Sequence, residues 1–283
     1  MSAAPAPASS MPATRIAFIG GGNMARSLIG ALLHGGTPAT SVRVGEPNEA
    51  TRTALAQDFG IEVASGAGSA AREADVLVLA VKPQVMKLVC AEIADGVAAR
   101  RPLVISIAAG IRLDQFERWL GADTPLVRAM PNTPALIGAG ASGLVANARV
   151  SPTQREQAAA ILGSAGRSVW IEREALMDSV TALSGSGPAY FFLLVEAMID
   201  AAVEQGMPRD VATALAAQTC LGAGRMLVES GEAPGLLRER VTSPGGTTAA
   251  ALDAFAAGDL RGLVARALDA AQRRGGTLSA QYD

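Results

Sequence analysis

Histidine is almost missing from this chain: His34 is the only one. Imidazole-based metal sites and Ser-His-Asp chemistry therefore have little to build on. Its place near the end of a helix-like stretch suits His34 to an ordinary role at a helix C-terminus. Cysteine is nearly as scarce. Cys90 and Cys220 lie far apart within helix-like surroundings, which argues against a disulfide or metal motif and for buried, reduced thiols. There is no long basic run, and a net charge of −2 argues against nucleic acid as the main partner. No apolar run reads as long enough to span a bilayer, so no membrane is expected as a partner. Met1–Ala13 is rich in Ala, Pro and Ser and lacks the apolar core of a secretory signal. It is expected to be a disordered tail, and the chain to be cytoplasmic.

What the chain does have is enough length and apolar content for two domains. It has 283 residues, 49% of them hydrophobic and 18% charged. The organising stretch is Arg15–Leu33, RIAFIGGGNMARSLIGALL. A short apolar strand ends in Gly20-Gly21-Gly22, and Met24, Leu28 and Leu32 then recur at helical spacing. The small residues fall as G-x-G-x-x-A. Gly20 permits the tight turn, Gly22 lets a pyrophosphate approach the backbone, and Ala25 lets the helix pack closely on the strand. The phosphates would lie at the helix N-terminus, where free N–H groups and the helix dipole favour anions. The competing reading is a purely structural turn.

Downstream, Ser41–Val44 reads as a second strand. Glu46 follows where a Rossmann-type acid meets the ribose hydroxyls, although a solvated loop acid fits the position as well. Asn48, Thr51 and Arg52 come next and suit a 2′-phosphate, which leaves the choice of cofactor open. Val76–Val81 is a continuous apolar run, as expected for a central parallel strand covered on both faces. It ends in Lys82-Pro83-Gln84 at the sheet edge where ligands bind. Lys82 reads either as facing that ligand or as a strand-end lysine in solvent. Further strands are expected at Leu103–Ile107, Pro125–Met130, Ser142–Ala146 and Arg167–Ile171, with helices between them, and Pro131-Asn132-Thr133-Pro134 forms a rigid turn. This alternation predicts a doubly wound α/β sheet.

From about Glu174 the strands stop and apolar helices follow, at Met177–Leu183, Ala189–Gln205, Pro208–Glu229, Pro234–Arg240, Ala249–Phe255 and Leu260–Arg274. Gly222 and Gly224 inside one of them suggest close helix–helix packing. So many apolar faces exceed what one small bundle can bury, so an oligomer is expected rather than a monomeric bundle. Between two helices lies Val241-Thr242-Ser243-Pro244-Gly245-Gly246-Thr247-Thr248. Its backbone N–H groups and hydroxyls suit a carboxylate; a plain turn and helix cap is the other reading.

Together these segments resemble the pyrroline-5-carboxylate reductases, from about Arg15 to Arg274. The resemblance rests on FIGGGNMA, AVKPQ (Ala80–Gln84), SIAAGI (Ser106–Ile111), RAMPNTPA (Arg128–Ala135), ALSGSGPAY (Ala182–Tyr190) and VTSPGGTTAAAL (Val241–Leu252). It implies an N-terminal Rossmann domain followed by an all-α dimerisation domain, with dimers that often assemble into decamers. In residues, this means a tail at 1–13, a dinucleotide-binding domain at 14–174 and a helical dimerisation and substrate-binding domain at 175–283. It implies reduction of 1-pyrroline-5-carboxylate to L-proline by NADPH, with NADH as a second donor. The matched positions imply cofactor contacts at Gly20, Gly21, Gly22, Asn23, Met24, Ala25, Glu46, Asn48, Ala80, Val81, Lys82 and Pro83. They imply a substrate site of Val241, Ser243, Gly245, Gly246, Thr247 and Thr248, with Thr248 also catalytic through the ring nitrogen, and no metal. A related imine or β-hydroxyacid oxidoreductase, and a non-catalytic NAD(P) sensor, are the alternatives.

Overall fold

The computed structural model describes residues 14–282, so the expected tail at Met1–Ala13 lies outside them. By contact density the chain forms two compact units. The first holds the residues up to Gly185 together with those from Gln272, and the second is Ser186–Ala271. The domain boundary expected at 174/175 falls before this division.

The first unit is built on one eight-stranded sheet. Its strands are β1 (Ile16–Ile19), β2 (Val42–Gly45), β3 (Glu62–Ala64), β4 (Val76–Leu79), β5 (Leu103–Ser106), β6 (Leu126–Met130), β7 (Gly140–Ala146) and β8 (Gly166–Trp170). They lie in the order β3-β2-β1-β4-β5-β6-β7-β8. Strands β1 to β6 are parallel, β7 runs antiparallel to β6, and β8 is parallel to β7. The order reverses beside β1, which leaves a crevice at the carboxyl ends of β1 and β4. The alternation of side chains assigns each strand to two cores. Ile16, Phe18, Val76 and Val78 point to one face, with Leu28, Ile29 and Leu32 of α1 (Asn23–His34), Leu55 of α2 (Glu49–Phe59) and Ile161 of α6 (Pro152–Gly163). Ala17, Ile19, Leu77 and Leu79 point to the other, with Ala70 of α3 (Ala67–Ala71), Met86 and Ile93 of α4 (Pro83–Arg100) and Phe116 of α5 (Leu113–Leu120). Each such buried side chain stabilises the fold by about 1.5–3 kcal/mol. Cys90 is buried here, and burial pushes its thiol up to about 12, so it stays protonated. Cys220 is only half-buried, which differs from the expectation of two buried thiols. His34 closes α1, as expected.

The sheet departs from a purely parallel one because the link from β6 to β7 holds only the short 3-10 turn Thr133–Ile137. A parallel return needs a crossover of a dozen or more residues. After β8 come α7 (Met177–Val180) and then a π-helical turn, Thr181–Gly185, where the sequence reads as helix to Leu183 and then a kink or break over Ser184–Pro188.

The second unit consists of α8 (Gly187–Glu204), α9 (Arg209–Glu229), α10 (Pro234–Arg240), α11 (Thr247–Ala257) and most of α12 (Leu260–Ser279). It has almost no core of its own. Along α8 to α11 only Gly187 and Ala212 are buried. Phe191, Phe192, Leu193, Leu215, Leu221, Met226 and Leu263 are exposed. A Cβ added at Gly222 or Gly224 would meet nothing within 4 Å, so the close packing those glycines suggest does not occur within the chain. Two stretches, Glu174–Glu204 and Arg209–Glu229, are long and apolar enough to cross a membrane by length and composition. That corrects the expectation of no such run. Isolated charges such as Glu196 and Asp200 interrupt an apolar run read along the sequence, but a helix carries them on an otherwise apolar surface.

Candidate active site

The glycine turn joins β1 to α1 at the crevice, and its three glycines do different work. Gly20 has φ +101, and a Cβ there would lie 2.7 Å from the Ala80 carbonyl oxygen, so both backbone and packing require glycine. At Gly21 a Cβ would strike Leu55 Cδ1 at 2.5 Å. Gly22 is different. It has φ −69 and ψ −179, ordinary extended backbone, and a Cβ there would meet nothing within 4 Å. Neither conformation nor packing needs glycine at 22, which leaves the open space itself as the reason. Asn23 and Met24 open α1, whose N-terminus has no side-chain cap and no acid in its first turn. Ala25 is buried against the strands. A pyrophosphate fits this cradle of free N–H groups.

The end of β2 is tied to that turn. The Gly21 N–H donates to Glu46 Oε2 and the Asn48 N–H to Glu46 Oε1, both at 2.9 Å. Glu46 is half-buried, so it is a clamp on the glycine turn and not a solvated loop acid. Asn48 caps α2, with its Oδ1 accepting from the Thr51 N–H at 2.9 Å. The Arg52 guanidinium donates to the Glu46 and Pro47 carbonyls at 2.9 and 2.6 Å. Cation and anion therefore adjoin where an adenosine ribose would lie.

At the end of β4, Ala80, Val81 and Pro83 are half-buried beside the crevice and Lys82 is exposed. Lys82 precedes α4 and makes no side-chain hydrogen bond or ion pair with a described residue. Farther along the same edge lie two features that the sequence reading left without a role. Arg128 of β6 is only 5% exposed and pairs with Glu174 at 3.0 Å, while Glu174 also accepts the Leu113 N–H at 2.8 Å. An arginine inside an apolar strand signals a buried acidic partner. Asn132, in the turn after β6, accepts the Ala141 N–H at 2.8 Å and donates to the Ser184 carbonyl at 3.0 Å.

In the second unit, Val241 to Gly246 lead into α11. Gly245 has φ +69, and the Gly246 N–H donates to the Ser243 carbonyl at 3.0 Å. No side chain caps α11, and no acid lies in its first turn. The hydroxyls of Ser243, Thr247 and Thr248 make no hydrogen bond with a described residue. The loop therefore does not cap itself: N–H groups and hydroxyls remain free for an anion. Among the described residues no cluster of His, Cys, Asp and Glu could hold a metal ion.

A switch-point crevice closed by a glycine cradle, with a helical unit bearing a second anion-suited loop, defines a nicotinamide-dependent oxidoreductase of the Rossmann class. Residues 174–278 match the family model for pyrroline-5-carboxylate reductase dimerisation, and the pyrroline-5-carboxylate reductase of Pseudomonas aeruginosa is 50% identical over 96% of this chain and 99% of its own length. The chain belongs to the pyrroline-5-carboxylate reductase family. Residues 15–110 match the model for NADP oxidoreductases described as coenzyme F420-dependent. The structure of a pyrroline-5-carboxylate reductase from Coxiella burnetii superposes with a TM-score of 0.92 at 41% identity, covering 95% of this chain and 99% of that one. The pyrroline carboxylate reductase of Plasmodium falciparum, solved with NADP bound, gives 0.82 at 29% identity, covering 95% and 100%. The matched dimerisation domain accounts for the bare apolar helices of the second unit: the chain self-associates.

Proposed function

We infer that this chain reduces 1-pyrroline-5-carboxylate to L-proline with NADPH or NADH, the last step of proline biosynthesis. The observation that carries this reading is the uncapped N-terminus of α11 with three unengaged hydroxyls, in a chain of this family. The bound nicotinamide supplies the hydride. The cradle from Gly20 to Ala25 and the edge from Ala80 to Pro83 hold it, with Glu46 and Asn48 at the ribose end. Val241, Ser243, Gly245, Gly246 and Thr247 hold the substrate carboxylate, and the Thr248 hydroxyl bonds the ring nitrogen. A cyclic imine takes its proton from water and is then strongly electrophilic, so positioning and electrostatics suffice and no histidine is needed. Lys82 belongs to the cofactor edge and not to a proton relay. We assign residues 14–174 to cofactor binding and 175–283 to dimerisation and substrate binding. The working form is a cytoplasmic dimer that builds decamers, its apolar helices buried between chains and not in a membrane.

The test is loss of reduced-nicotinamide absorbance with purified protein and DL-pyrroline-5-carboxylate. Substrate-dependent loss with proline formed is expected; folded protein that binds NADPH yet turns over no imine overturns the reading in favour of a nucleotide sensor. Thr248→Ala should lower kcat/KM for the imine by about tenfold or more, the worth of one hydrogen bond to a charged group. Unchanged turnover would place the ring nitrogen elsewhere. Glu46→Ser should shift the ratio of kcat/KM toward NADPH, because it removes a like charge near the 2′-phosphate. It should also raise KM for both cofactors, because two backbone N–H groups lose their acceptor. Steady-state kinetics with each cofactor check both, and an unchanged ratio shows that Glu46 does not face the ribose.

A further inference from the structure

We propose that Asn132 is a positioning residue for imine reduction: its amide locks the π-turn Thr181–Gly185 against the carboxyl end of β6. The proposal rests on the reductase reading above and adds to it a residue that touches neither cofactor nor reacting atoms.

In a regular helix the Ser184 carbonyl would accept from the N–H of residue 188, but residue 188 is proline and has none. The next N–H along, that of Ala189, is given to the Ser186 carbonyl at 3.0 Å. The Ser184 carbonyl accepts instead from Asn132 Nδ2, which lies 52 residues away in sequence. The same amide accepts the Ala141 N–H through Oδ1, so its two ends are engaged in opposite directions. Asn132 is 9% exposed and sits between Pro131 and the 3-10 turn that begins at Thr133, with little freedom to move. A second contact presses the same two segments together. A Cβ at Gly185 would lie 2.7 Å from Met130 Cε, the flexible end of that side chain, so the turn rests on β6 through Met130. Ser184 and Thr181 tie off the turn by donating their hydroxyls to the Val180 and Met177 carbonyls.

The place of this lock gives it a kinetic meaning. The ends of β4, β5 and β6 form the half of the crevice away from β2, where the ribose end lies, so the nicotinamide belongs to it. The cofactor cradle is on β1 and β2 and is clamped independently by Glu46. Gly185 is also the last residue of the first unit before the chain enters the helical unit. Losing the lock should therefore misplace the imine and leave cofactor binding alone. A displacement of about 1 Å is enough to cost on the order of 100-fold in rate.

The test is Asn132→Asp, which keeps the acceptor for Ala141 and sets an oxygen against the Ser184 carbonyl. We expect kcat/KM for pyrroline-5-carboxylate to fall by about 100-fold at pH 8, with the NADPH dissociation constant within about twofold of wild type. The deficit should shrink as the pH is lowered, because a protonated carboxyl regains the donor. Amide exchange should quicken across residues 181–187 and stay unchanged in β1 and β4. An active wild type with an equally active N132D overturns the proposal alone. So does a loss matched by an equal loss of NADPH affinity. A wild type inactive on the imine overturns the functional reading, and the proposal with it. If N132D does not fold, Asn132→Ala carries the same test by removing the donor to the Ser184 carbonyl without setting a charge against it. It should show the same split, and full imine turnover by N132A overturns the proposal.

Discussion

Gly22→Val should abolish tight NADPH binding and leave the fold intact. The two outcomes separate because the chain itself asks nothing of Gly22. Its backbone is extended, and a Cβ there meets nothing within 4 Å. Stability should stay within about 0.5 kcal/mol, as for a surface substitution free of special constraints. A bound pyrophosphate, however, must approach the α1 N–H groups through the space that a valine side chain would fill. An affinity loss of roughly 100-fold or more is expected by fluorescence titration, alongside an unchanged thermal midpoint. The neighbouring glycines cannot give so clean a result. Gly20→Ala drives a Cβ toward Ala80 from a positive φ, and Gly21→Ala strikes Leu55, so either variant disturbs the turn before cofactor enters the question. NADPH held as tightly by G22V as by wild type would remove the cradle from the cofactor site.

The second large effect concerns association. Phe192 on α8 is 68% exposed in the single chain, and α8 and α9 bury only Gly187 and Ala212. Within one chain Phe192→Asp removes little, so any large change comes from the contact between chains. Exposed apolar surface of this extent needs a partner, and the dimerisation domain supplies one. A carboxylate buried unpaired at such a contact costs several kcal/mol, enough to raise the dissociation constant by about 1,000-fold or more. Sedimentation equilibrium should therefore show the F192D monomer at concentrations where the wild type is associated. A wild-type mass for F192D would place the α8 face outside the contact.

How much of this was legible in the sequence depends on the range over which each signal acts. α10 occupies the residues that local pattern assigns to it, Pro234–Arg240. The glycine turn could be read because its requirements lie within a few residues. The direction of β7 could have been read as well, from the shortness of the link after β6. Pairings across the chain could not. Glu46 and Gly21 are 25 residues apart, Arg128 and Glu174 are 46, and Asn132 and Ser184 are 52. Each is a side chain whose partner is set by the fold and leaves no periodic trace. The break at Ser184–Pro188 is legible from its glycines and Pro188, but its π form is not. The Ser184 carbonyl finds its donor in Asn132, too far along the chain for local pattern to register.

The last helix has a consequence for how the protein is made. α12 begins in the helical unit, yet from Gln272 its residues belong to the sheet unit, where Gly275 lies against Asp178. Topologically the helical unit is an insertion within the other, and the chain crosses between the two twice. Nascent chains generally fold domain by domain from the N-terminus. Here the sheet can form early, but its final helical turns are synthesised only after all of Ser186–Ala271. Until they arrive, the ribosome holds a sheet unit still missing its closing segment beside apolar helices that still lack their partner chain.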